Sequence, residues 1–201
     1  MVNMALFLDF DDIKQQRKQI RQHRRRLNRT ALHHAERLTL TRLLQHPHIK
    51  FKQHIGIYLD AFGEVPTQQL MMTLFRQKKS VYLPLICPMN QALHWQKISL
   101  QQWRNQRFAL HRLGMKQAMH HRGHCVSRLD TLILPLVLFD TAGHRVGMGG
   151  GFYDRTLARY PYQPYRIGLA HDFQKTRTIM QSQPWDQALH SAITPSHTFW
   201  F

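Results

Sequence analysis

The sequence predicts an α/β protein built as a single-domain three-layer sandwich, a mostly parallel sheet with helices on both faces. Three observations carry this reading. Short apolar runs alternate with helical stretches from Gln53 onward. The run Thr131–Phe139 is apolar throughout, as a central parallel strand covered on both faces must be. No linker or internal repeat divides the 201 residues, a length that suits one compact core. The expected organisation is one domain over residues 1–201, with 1–12 as a flexible N-terminal extension.

Lys14–Gln45 reads as one long helix, or as two separated by a short break. Ile13, Ile20 and Leu27 recur every seven residues and give a narrow apolar stripe that can dock on a core. Arg17, Arg21, Arg25 and Arg29 recur every four and form a column on one side. Like charges at that spacing cost a helix a few tenths of a kcal/mol per pair, so an anion that offsets them is one reading and a solvated basic face the other. His54–Asp60 reads as a buried strand, and Thr67–Arg76 as a helix with Leu70, Met71 and Leu74 at core spacing. Ser80–Pro84 and Ala92–Ile98 are strands; Gln101–His111 is polar and ambiguous; Arg112–Arg128 reads as a long loop. After the strand Thr131–Phe139, a helix opened by a glycine loop continues over Thr156–Tyr160. Tyr165–Ala170 is a last inner strand, followed by a Pro-rich tail anchored by Trp185 and Trp200.

Composition narrows the function classes. Lys and Arg total 28 against 11 Asp and Glu, a formal +17, which favours polyanionic partners of any kind: nucleic acid, an anionic surface, or small phosphate- and carboxylate-rich substrates. Only two acids are glutamates, Glu36 and Glu64, so carboxylate chemistry must come from a short set. Two cysteines, Cys87 and Cys125, cannot build a disulfide framework. The longest strongly apolar run, Leu132–Phe139, falls far short of the ~20 residues a membrane span needs, and a cytoplasmic protein is expected. His120, His121, His124 and Cys125 crowd together, but with 15 histidines in the chain chance clustering is the simpler reading than a metal site.

The most informative segment is Leu132–Tyr160. An apolar strand ends at Phe139-Asp140, Thr141-Ala142-Gly143 make a turn, and Arg145 precedes Gly147, Gly149, Gly150 and Gly151. Phe152, Tyr153 and Asp154 then open a short helix. Glycines let a backbone approach oxygens closely, and successive N–H groups at a helix start favour an anion. Asp154 is placed to hold a Mg²⁺ ion that bridges phosphates. No Gly-Lys-Ser/Thr follows, and Phe152 stands where a dinucleotide fingerprint needs its third glycine, so the loop is neither of the two common phosphate motifs.

The run Arg145-Val146-Gly147-Met148-Gly149-Gly150-Gly151-Phe152-Tyr153-Asp154, after a strand ending in Phe139-Asp140, resembles the signature of 5-formyltetrahydrofolate cyclo-ligases. Arg17-Lys18-Gln19-Ile20-Arg21 is similar to the basic helix that opens that family. Ile57–Thr67, Lys79–Pro84, Ala170-His171-Asp172 and Ile193–Ser196 resemble its later segments. One segment departs: Gly114-Met115-Lys116-Gln117-Ala118 lacks the Glu-Pro the family carries near its folate pocket.

The resemblance implies ATP- and Mg²⁺-dependent cyclisation of 5-formyltetrahydrofolate to 5,10-methenyltetrahydrofolate, with ADP and phosphate released through a phosphorylated formyl intermediate. It implies Arg145 and Tyr153 as catalytic residues. ATP would be held by Arg17, Arg21, Arg145, Gly147, Met148, Gly149, Gly150, Gly151, Phe152, Tyr153 and Asp154. Folate would be held by Glu64 and Tyr153, and the metal by Asp154. The implied partners are small molecules, ATP and a reduced folate, and polyglutamylated forms suit the charge; a monomer with no membrane partner is expected. Two alternatives stand beside this reading: a cyclo-ligase-like ATP-binding protein with an altered acceptor, and a basic nucleic-acid-binding protein.

Overall fold

A computed structural model describes residues 8–106, 108–110, 114, 116–119 and 123–201. Helix α1 spans Phe10–Arg26; Asp9 caps it, its carboxylate accepting from the Asp12 N–H at 2.8 Å. The first seven residues of the expected extension lie outside the described set, Leu8 bridges to Met180, and α1 already begins at Phe10. The long helical stretch is two helices. Leu27 and Asn28 are extended, and the Asn28 side chain caps α2 (Arg29–Gln45) by accepting from Ala31 N–H at 2.8 Å. This break corrects the four-residue arginine column: Arg29 belongs to α2, Arg25 is exposed, and only Arg17 and Arg21 stay half-buried on α1.

A short α3 (Pro47–Lys50) leads into β1 (His54–Gly56). The strand expected to run to Asp60 ends early because the chain turns over its end, with Phe62 and Gly63 in the left-handed region at φ 53° and 75°. Helix α4 (Gln68–Arg76), β2 (Ser80–Ile86), β3 (Leu93–Ile98) and α5 (Leu100–Arg104) follow. Beyond them, β4 (Phe108–Leu110) and β5 (Lys116–Ala118) pair antiparallel where a plain loop was expected. Strand β6 (Thr131–Pro135) stops at its proline, which has no N–H to give the ladder, and β7 (Leu138–Phe139) restarts as a hairpin with β8 (Arg145–Val146). Helix α6 (Phe152–Leu157) and β9 (Tyr165–Leu169) precede a tail that is not merely a tail: β10 (Ser191–Ile193) and β11 (Thr198–Trp200) extend the sheet. Trp200 stacks on His46 at 4.5 Å, while Trp185 is exposed and anchors nothing.

The seven-stranded sheet has the order β11-β10-β9-β6-β1-β2-β3, parallel except at its two edge strands. Its five parallel strands therefore run 2-1-3-4-5 in chain order, a doubly wound arrangement whose winding reverses between β1 and β6. Alternate residues feed two cores, as the period of two requires. Val81, Leu83, Ile133 and Ile167 face α2, α4 and α5; Tyr82, Leu132, Leu134 and Ala192 face α6. The three layers are those the sequence predicts. The stripe Ile13 and Ile20 docks α1 on Leu138, Val146 and Met180, over the hairpin that carries the glycine loop.

Two histidines, His46 and His171, are buried and a third, His190, is half-buried; loss of solvent holds each near pKa 4. Each prefers a proton in the unfolded chain, where it titrates near 6.5, so the stability it contributes is present above pH 6.5 and lost as pH falls towards 4. Thermal melts on descending pH should show a falling midpoint across that window; a midpoint that holds level down to pH 4 would overturn this account.

Candidate active site

In a doubly wound sheet the crevice lies outside the carboxyl ends of the strands where winding reverses. Here that is the exit of β1 and β6. Because β1 ends at Gly56, opposite Leu132, the later part of β6 has no strand on that flank. The carbonyl of Leu136 emerges there and is satisfied instead by the Gln174 amide at 2.7 Å and the Arg24 guanidinium at 3.1 Å.

The loop between β1 and α4 supplies one wall. Asp60 Oδ1 accepts from Thr67 N–H and hydroxyl, at 3.2 and 3.3 Å, which closes the loop on the helix start. At Gly63 a Cβ would collide with the Arg24 carbonyl, so only glycine lets α1 and the loop touch. The next residue, Glu64, is thereby turned into the crevice. Its Oε2 accepts from Ala61 N–H at 3.0 Å, and its Oε1 lies 3.7 Å from Arg24 Nη2. Burial raises this carboxyl to about 7; Arg24 and the Ala61 N–H pull it down, and Asp60 pushes it further up.

The opposite wall is the glycine loop between β8 and α6. Gly149 and Gly151 have φ of 100° and 62°, and a Cβ on Gly149 would sit 3.4 Å from the Arg17 guanidinium. Arg17 thus lies against the loop from α1. Arg145 Nη2 donates to Asp154 Oδ1 at 2.7 Å, and its Nε is buried without a partner. Its guanidinium also lies 5.8 Å from the Tyr153 ring. Burial, then the charge of Glu64, push the Tyr153 hydroxyl well up, against the pull of Arg145. Phe152 packs on the core facing α6, beneath Gly150.

Among the described residues only two Lys or Arg side chains ion-pair with a carboxylate, Arg24 and Arg145, and both are here. Arg166, on β9, is also buried but pairs with no carboxylate among the described residues; it donates to the Gln187 side chain at 3.2 Å. The donors suit a nucleotide: unpartnered guanidinium N–H, a glycine cradle that a Cβ would crowd, and Arg17 across it. They also suit a hard cation. Asp154 gives one oxygen to Arg145 and to Gln187 N–H at 3.3 Å, and its other oxygen makes no hydrogen bond among the described residues. Of the residues singled out in the sequence, Glu64, Arg145, Tyr153 and Asp154 converge through these contacts, Met148 joins them with its sulfur 3.8 Å from Arg24 Nη2, and Arg17 reaches the loop. Arg21 sits one turn away, acting on Arg24 through its charge.

Two residues to which the sequence assigns no site role complete the site. Arg24 is almost wholly buried, and His171 Nε2 contacts the Gly63 carbonyl at 3.0 Å, latching the Glu64 loop to the end of β9. The first was legible in principle: Ile13, Arg17, Ile20 and Arg24 share the face that docks, at steps of three and four. Asp140, by contrast, is a turn keystone. It accepts from Ala142, His144 and Met180 N–H at 2.8–2.9 Å, with the His144 ring at 2.9 Å. No group of three or more metal-ligating side chains occurs among the described residues; His120 and His121 lie outside them.

Residues 11–195 match the model of the 5-formyltetrahydrofolate cyclo-ligase family. A 5-formyltetrahydrofolate cyclo-ligase of Escherichia coli K12 is 34% identical over 182 residues, covering 88% of this chain and 97% of that one. Its counterpart in Haemophilus influenzae is 32% identical over 188 residues, covering 89% and 97%. Among solved structures, a 5,10-methenyltetrahydrofolate synthetase of Aquifex aeolicus superposes with a TM-score of 0.78 at 21% identity, over 93% of this chain and 91% of that one, a likeness of fold.

Proposed function

The chain belongs to the 5-formyltetrahydrofolate cyclo-ligase family, and from that premise we propose that it closes the formyl group of 5-formyltetrahydrofolate onto N10 at the expense of ATP and Mg²⁺. The observation that carries the reading is the pairing of two unlike walls at one switch point. One wall is a glycine loop with Arg145 and Arg17, suited to phosphates; the other presents a single buried carboxylate, Glu64, suited to a polar heterocycle edge.

The chemistry asks for positioning more than for covalent help. The formyl oxygen is a poor leaving group, so it attacks the γ-phosphorus and ADP departs. N10 then attacks the activated formyl carbon and loses its proton. The C–O bond breaks, phosphate leaves, and the methenyl bridge remains. Arg145 and the glycine-loop N–H groups would offset charge on the transferred phosphoryl, with Arg17 and Arg21 approaching from α1. Bound through the second oxygen of Asp154, Mg²⁺ would neutralise phosphate charge and fix its geometry. Met148, Phe152 and Tyr153 would close the nucleotide and folate pockets against water. Glu64 would accept hydrogen bonds from the substrate's N–H edge.

Such substrates are polyanions, in keeping with the +17, and polyglutamylated folates belong to the same class. No helix among the described residues is long and apolar enough to cross a membrane. A monomer working in the cytoplasm on small molecules completes the reading. A second reading, the same phosphorylation with a different acceptor, rests on Lys116-Gln117-Ala118, which pairs antiparallel with β4. Incubation of the protein with ATP, Mg²⁺ and 5-formyltetrahydrofolate should give the absorbance of the methenyl product, and omission of ATP or Mg²⁺ should abolish it. Folded, ATP-binding protein that yields no product would favour the second reading. Failure to bind ATP would remove both and leave polyanion binding.

A further inference from the structure

Arg24 is held in a way that stability alone does not explain. Its side chain is about 1% exposed, one guanidinium nitrogen donates to the Leu136 carbonyl at 3.1 Å, and the other lies 3.8 Å from the Met148 sulfur and 3.7 Å from Glu64. Its Nε has no partner. Burying a cation on so thin a set of acceptors is expensive, and apolar replacements of buried ion pairs are often neutral or stabilising. A charge kept in such a place points to a task. The contacts also say which parts it joins: the exit of β6, the middle of the glycine loop, and the one carboxylate on the opposite wall.

We propose that Arg24 is the positioning residue of the folate half of the site: it keeps Glu64 ionised and aimed into the crevice, and through Met148 it ties that carboxylate to the nucleotide loop. The proposal rests on the folate-cyclising reading above. Every charged or titratable group facing Glu64 bears on it. Arg24 on α1 is the cation. Asp60 on the same loop opposes ionisation, and Tyr58 and Tyr153 face the carboxylate as neutral hydroxyls whose own ionisation its charge disfavours. Arg21, Arg25 and the neutral His171 bear on Arg24 rather than on Glu64 directly. Of these groups only Arg24 favours the carboxylate by charge.

The test is the pH profile of kcat/KM for 5-formyltetrahydrofolate at saturating ATP. Wild-type protein should lose efficiency on the acid side with a midpoint near 7, where Glu64 takes its proton. Arg24→Met should move that midpoint up by about one pH unit and lower kcat/KM at pH 7 about tenfold. Arg24→Lys should keep the wild-type midpoint. In a Glu64→Gln background, Arg24→Met should cost less than about twofold more, since the carboxylate it serves is gone. An unmoved midpoint in Arg24→Met, or an equal loss in the Gln background, would reduce Arg24 to a structural role and overturn the proposal. Should Arg24→Met unfold, the double variant must recover the fold, because removing both members of a buried pair costs less than removing one. A double variant that stays unfolded overturns the proposal too. Inactive wild-type protein would refute the folate reading itself, whereas active wild type with an unmoved midpoint refutes only the role of Arg24.

Discussion

Replacing Glu64 with glutamine should lower kcat/KM for 5-formyltetrahydrofolate by about 10²–10³-fold, the loss expected when two hydrogen bonds to a buried carboxylate become bonds to a neutral amide. The acid limb of the pH profile should vanish with it, since no group titrating near 7 remains on that wall. The pH dependence of stability should change as well. The folded carboxyl releases its proton near 7 and the unfolded one near 4.5, so between those values the folded chain binds more protons, and stability falls as pH rises through 7. The ligand-free Glu64→Gln protein should therefore lose the fall in melting midpoint that Glu64 gives wild type between pH 6 and pH 8, while turning over far less substrate. Below pH 6.5 this effect is opposed by His46, His171 and His190, which favour the folded state as pH rises. Parallel melts and steady-state rates at pH 6 and pH 8 check both halves. Unchanged kcat/KM in the glutamine variant would take Glu64 out of the folate pocket.

The parts legible in the sequence share a physical cause: local pattern and local chemistry. Thr131–Phe139 is apolar on both faces because both faces are covered, and Gly147–Gly151 is glycine-rich because the loop is crowded by its neighbours Phe152 and Arg155 and, from α1, by Arg17. What was not legible depends on tertiary contact. Strand β10 has three residues, too few to show a period, and exists because β9 offers it a free edge. Strand β1 shortens because the loop carrying Glu64 must turn back over its end, a demand set by α1 through Gly63 and Arg24. The arginine column illustrates both sides of this. Its spacing of four makes one column only along a single unbroken helix. The helix, however, ends at Arg26, and the docked face follows Ile13 and Ile20, so the buried member is Arg24 rather than Arg25.

The nucleotide wall carries the largest expected effect. Arg145→Met should reduce kcat by about 10³-fold or more at saturating 5-formyltetrahydrofolate, the scale on which an arginine facing a transferred phosphoryl acts. The ground for this size is geometric. The Arg145 guanidinium is nearly fully buried, one nitrogen holds Asp154 at 2.7 Å, and its Nε has no protein acceptor. A buried donor without a protein partner is available to an oxygen that arrives with substrate. Its removal also leaves Asp154 as a carboxylate without its cation, facing a triphosphate. The fall in kcat should exceed the rise in KM for ATP, because charge on the phosphoryl oxygens is offset most in the transition state. Arg145→Lys should fall between wild type and Arg145→Met, since lysine restores the charge but cannot donate to Asp154 and a phosphate oxygen from one planar fork. Single-turnover rates with pre-bound ATP separate the two parameters. A variant that raised KM alone, with kcat intact, would make Arg145 a ground-state anchor of the nucleotide and shift the burden of phosphoryl transfer to the loop N–H groups and Arg17.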